Sequence, residues 1–152
     1  MRSLLALALT ALPAAAETAF DSTGVAFGVE TGALLAETEE IYAFRSRTTH
    51  ESFEMEAEGH PFAGLGGVCE GFVVAREIVS GGGLCTYEGA EGTAFVSYEI
   101  EGTGPEGELV GTWSAEGGLG TLAGLSGGGR FASFEDAAGA IETLFVGAVT
   151  LP

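Results

Sequence analysis

The 152-residue chain sets 22 acidic residues against five arginines and contains no lysine, asparagine or glutamine. Its net charge of −17 excludes nucleic acid and anionic lipid surfaces as natural partners, because both repel it. A lysine-free chain also excludes any P-loop phosphate site, despite the glycines around Gly118-Leu119-Gly120 and Gly124.

Residues 1–16 carry Arg2, the apolar run Leu4 to Leu12, and Pro13-Ala14-Ala15-Ala16. This is the plan of a secretory signal, with cleavage expected between Ala16 and Glu17. The apolar run is too short to span a bilayer, and with Cys69 the first cysteine a lipoprotein signal is excluded. The expected mature product, residues 17–152, is periplasmic or extracellular and long enough for one domain.

Period-two alternation recurs along that domain and helical periodicity does not, so the chain reads as all-β. Strands are expected near Gly24 to Glu30, Glu40 to Arg47, His50 to Glu58, Val68 to Val79, Leu84 to Glu88, Thr93 to Glu101, Glu108 to Ser114, Gly129 to Glu135 and Ala140 to Thr150. Only Thr31 to Glu40 has the residues for a helical turn. In the strand from Thr93, Ala94, Val96, Tyr98 and Ile100 form the inner face, opposite Ser97, Glu99 and Glu101. Gly81-Gly82-Gly83, Gly89 to Gly92, Gly102 to Gly107 and Gly117-Gly118 read as the connections. Such short links make neighbours antiparallel. The expected architecture is a single antiparallel β-barrel of about eight strands, with a β-sandwich as the alternative; closure removes exposed edges.

Cys69 and Cys85 are the only cysteines and flank a strand, turn, strand pattern, which in an oxidising compartment predicts a cross-strand disulfide. A metal site shared with His50 and His60 fits no short zinc-ligand spacing, and Tyr87 to Gly92 is a distant relative of a calcium loop, so neither a metal nor another cofactor is expected. Gly124-Leu125-Ser126-Gly127-Gly128 matches the G-x-S-x-G pattern of a hydrolase elbow. Both histidines precede Ser126 and glycine follows it, which is the wrong order and context for that chemistry.

The series Gly111-x-Trp113, Gly117-Gly118-Leu119-Gly120 and Leu122-Ala123-Gly124-Leu125-Ser126-Gly127-x-Gly129-x-Phe131, with Cys69-x-Gly71 and Cys85-Thr86-Tyr87 upstream, resembles the secreted bacterial allene oxide cyclase barrel-like proteins. The likeness covers Val68 to Val149 and rests mainly on glycine and aromatic positions. It departs at Leu119, where those proteins usually carry a small polar residue, at Thr121, usually basic, and at Glu88 to Thr93, usually an Asp-rich turn. The resemblance implies an eight-stranded barrel related in shape to calycins and dirigent proteins; no catalytic residue carries over.

The functional expectation is a secreted barrel binding a small apolar ligand, with Tyr87, Tyr98, Trp113 and Phe131 near the cavity. A solid structural or interaction domain is the alternative. An enzyme of the cyclase or isomerase kind ranks third, because its first candidates, Glu99 and Glu101, fall on the polar side of their strand. Oligomeric state is left open.

Overall fold

The computed structural model describes residues 17–152, so the signal reading of residues 1–16 lies outside the described residues. Nine strands run β1 (Thr18–Asp21), β2 (Gly24–Glu37), β3 (Tyr42–Met55), β4 (Gly66–Ala75), β5 (Val79–Gly89), β6 (Gly92–Thr103), β7 (Leu109–Gly120), β8 (Ser126–Glu135) and β9 (Ala140–Leu151). Every pairing is antiparallel, and each strand from β2 to β8 pairs with the next. The sheet closes because β9 pairs with both β8 and β2. The result is an eight-stranded barrel, and a sandwich is excluded. The additional strand β1 extends the edge of β2 along β9 without a change of register, from Thr18 opposite Leu151 to Gly24 opposite Phe145. Among the described residues there is no helix, hence none long and apolar enough to cross a membrane.

The alternating pattern is realised most plainly in β6, where Ala94, Val96 and Ile100 are buried and Phe95 and Glu99 exposed. Several expectations are corrected. Thr31 to Glu37 is not a helical turn but the far end of β2, held in strand geometry by pairing with Tyr42 to Arg47. The strands expected at Glu40 to Arg47 and His50 to Glu58 are one, β3, and β1 was not anticipated. Gly81-Gly82-Gly83 lies inside β5, paired on one side with Gly71 to Val73 and on the other with Tyr98 to Ile100. Gly117-Gly118 lies inside β7, with Gly117 at φ +132° beside the bulge opposite Phe95 and Val96. Gly81, Gly82, Gly83 and Gly118 give close approach between strands and Gly117 supplies the positive φ, where isolated sequence reads all of them as turns.

The two ends of the barrel differ. At one end the segments 56–65 and 121–125 fold inward, and Phe62, Leu65, Leu122 and Leu125 plug the interior against Phe53, Ala115 and Val149. The other end carries the hairpin connections at 38–41, 76–78, 104–108 and 136–139 and has no such plug. Aromatic edges pack the middle: Phe53 meets Tyr87 edge-on at 4.7 Å and Trp113 meets Phe145 at 6.2 Å between ring centres.

Candidate functional site

Between the aromatic layer and the hairpin end lies a half-open cavity of about 80 Å³. Its wall is built from inward positions of β2 to β9, which alternation along each strand places on one surface. The four residues expected at a cavity, Tyr87, Tyr98, Trp113 and Phe131, all line it. The tyrosine and tryptophan positions have specific supports. Tyr98 lies over Gly71 and Gly83: a Cβ built on either would collide with its hydroxyl oxygen. Trp113 donates its indole N–H to the Arg130 carbonyl at 3.2 Å, and Phe131 meets Tyr98 edge-on.

Cys69 and Cys85 face each other in register, with S–S 1.95 Å, and the disulfide forms part of the same wall. Beside it is a polar chain that sequence reasoning missed. The Tyr87 hydroxyl lies 3.1 Å from His50 Nδ1 and 3.0 Å from Cys69 Sγ. A disulfide sulfur carries no proton and can only accept, so the phenol bridges an acceptor sulfur and Nδ1, whose role follows the ring's tautomer, and the ring's other nitrogen is Nε2. That nitrogen is buried and has no hydrogen-bond partner within the protein. The His50 ring is 6% exposed and rests over Gly28, where a Cβ would come within 2.9 Å of Cδ2. Burial lowers the pKa of His50 to about 4, so it is neutral at physiological pH, and burial pushes the Tyr87 phenol above its ordinary range.

Towards the mouth stand Glu30, Ser46, Tyr98 and Ser133. The half-buried Glu30 carboxyl is raised in pKa, chiefly by desolvation and then by the Glu135 charge, with the Ser46 hydroxyl opposing. Tyr98 is raised by burial and by Glu30, again with Ser46 opposing. The signal for this part of the site was present in β3, where Ser46, Thr48 and His50 recur at period two on the inward face. Polar residues on a barrel's inner face are legible as a cavity wall only once closure is known.

The second histidine is used differently. The Phe62 backbone N–H donates to His60 Nδ1 at 3.0 Å, so Nε2 carries the proton and donates to the buried Ser22 hydroxyl oxygen at 2.9 Å. Serine and histidine meet here, but an imidazole already protonated on the facing nitrogen cannot take the serine's proton. The contact ties the β1–β2 junction to the plug. Ser126 stands at the exposed start of β8, its hydroxyl 2.9 Å from that of Thr150. Glu99 and Glu101 point outward, Glu101 accepting from Arg130 at 2.9 Å. Among the described residues no three His, Cys, Asp or Glu side chains are grouped to hold a metal.

Compared with known proteins, the chain matches no family model, no curated protein and no solved structure.

Proposed function

We propose that this is a secreted binding barrel that receives a small molecule through its hairpin end. The observation that carries the reading is the asymmetry of the interior: one end is filled by Phe62, Leu65, Leu122 and Leu125, while the other leaves a half-open cavity walled by Tyr98, Ile100, Leu109, Phe131 and Ile141. Secretion is supported by the pattern of residues 1–16 and by a disulfide, which persists in oxidising compartments. The allene oxide cyclase-like segment from Gly111 to Phe131 remains a proposed kinship and lends no catalytic residue.

A second reading, a structural or interaction domain with a nearly solid core, is favoured by the cavity's size, since pockets for drug-sized ligands run to roughly 300–1,000 Å³. Native mass spectrometry of the protein isolated gently from its natural source separates the two. A mass excess that is lost on denaturation, and whose removal changes the emission of Trp113, supports the binding barrel. A bare chain in every preparation supports the solid domain.

A further inference from the structure

We infer that the molecule received by this cavity is a small organic cation, an alkylammonium whose charged head meets the Glu30 carboxylate at the mouth and whose alkyl body enters the barrel. The inference rests on the binding reading above and specifies its chemistry. Alternation along β2 turns Ala26, Gly28 and Glu30 to the inside, which puts an acid on the barrel's inner face. The Glu30 backbone N–H donates to the Gly139 carbonyl at 2.8 Å, which seats the residue beside the β8–β9 hairpin at the open end. Glu30 is the only acid in the cavity lining, and no arginine lines it. Among the described residues the ion pairs are Arg47–Glu70 and Arg130–Glu101, so the Glu30 carboxylate has no cationic partner. Carboxylates withdrawn from water are ordinarily paired. Here burial and the Glu135 charge both work against the ionised form, and the Ser46 hydroxyl alone opposes them. A cation arriving from the mouth supplies the missing partner, and a half-buried carboxyl in a half-open cavity is within its reach.

The rest of the wall selects an organic cation over a metal ion. Among the described residues no three His, Cys, Asp or Glu side chains are grouped to hold a metal, and a hard metal ion needs several oxygen ligands. The carboxylate shares its cavity instead with Ile100, Trp113 and the Tyr98–Phe131 pair, whose rings meet edge-on at 6.2 Å. Such rings attract an ammonium and shelter an alkyl body. His50 in the same lining is neutral at physiological pH and adds no competing charge. The chain's net charge of −17 draws cations towards the mouth and repels anions.

The test compares three probes of similar size on the intact disulfide-bonded protein at pH 8: n-butylammonium, 1-butanol and butanoate. Binding is followed by NMR, including the carboxyl carbon shift of Glu30 and the ring resonances of Tyr98. Butylammonium is expected to bind saturably, about tenfold more tightly than butanol, and to move the Glu30 carboxyl resonance. Butanoate shows no saturable binding. Glu30→Gln removes the ammonium's advantage and leaves butanol unchanged. Glu99→Gln, which removes the same charge from the outer face of β6, leaves that advantage intact. Equal affinity for ammonium and alcohol, or tighter binding of butanoate, overturns this inference and leaves the binding barrel standing. An ammonium preference that survives Glu30→Gln, or falls equally in Glu99→Gln, also overturns it, since the attraction is then the field of the whole acidic chain. Failure of all three probes overturns it as well and, with a bare chain in native mass spectrometry, removes the binding reading too. Should Glu30→Gln not fold, the unmodified protein decides: a Glu30 carboxyl that butylammonium leaves unmoved overturns the inference.

Discussion

At the residue scale, the two histidines show how far burial alone changes chemistry. Each sits at a pKa of about 4, lowered chiefly by desolvation, with Asp21 opposing the shift at His60. A histidine that is neutral in the fold and free to charge when unfolded draws protons to the unfolded state, so stability falls as pH drops from about 6.5 towards 4. Each site contributes up to roughly 3 kcal/mol over that window. Glu30, whose pKa is raised in the fold, acts in the opposite sense: its contribution is present at low pH and lost as pH rises through the carboxylate range. Urea melts from pH 7 to pH 4.5 in screening salt therefore show falling stability for the wild type. The slope is shallower in His60→Gln, which carries no titrating ring. A flat wild-type profile would contradict the buried neutral histidines. Tyr87→Phe removes the hydroxyl partner of His50 Nδ1 and leaves that buried nitrogen only the longer contact to Cys69 Sγ, at a cost of about 1–3 kcal/mol in the same melts.

At the element scale, β4 and β5 are held by both their cross-link and their glycines. The disulfide closes a loop of sequence separation 16, which the chain-entropy account values at on the order of 3 kcal/mol. Cys85→Ser should therefore lower the melting temperature clearly under non-reducing conditions, and an unchanged melt would mean the sulfurs are not joined. Gly71 shows the other device. A Cβ there collides with the Tyr98 hydroxyl and comes within 2.5 Å of the Gly82 carbonyl. Gly71→Ala is expected to cost about 1–3 kcal/mol by overpacking. Tyr98→Phe in the same chain recovers part of that loss, a coupling measurable as a double-mutant cycle. The tyrosine positions were legible because Ala94, Val96, Tyr98 and Ile100 alternate without a break. The glycines of β5 were not, since the reason for them is a side chain on the neighbouring strand. Nor could Thr31 to Glu37 be read as strand: its residues favour no strand face of their own, and its geometry comes from the partner, β3.

At the scale of the whole molecule, charge and closure work against each other. Among residues 17–152, twenty-two acids and four arginines leave strong self-repulsion on a compact surface. The ion pairs Arg47–Glu70 and Arg130–Glu101 are exposed and offset little of it. Added salt should screen this repulsion and raise the melting temperature; thermal melts at low and molar salt check it, and indifference would show that the acids are too dispersed to matter. Stabilisation that continues into molar salt would further favour adaptation of the acidic surface to saline surroundings.

The sequence by itself determined the β class, a count of about eight strands and the disulfide partners. Each of these follows from period-two patterning or from having only two cysteines to pair. Tertiary structure alone decided which end of the barrel is filled, that His50 meets Tyr87 across β3 and β5, and that Glu30 stands near the mouth. The physical reason is closure: a strand's pattern says which side chains share a face, but only the pairing of β9 with both β2 and β8 makes those faces enclose a single space. Within that space desolvation, rather than residue type alone, sets which groups are neutral.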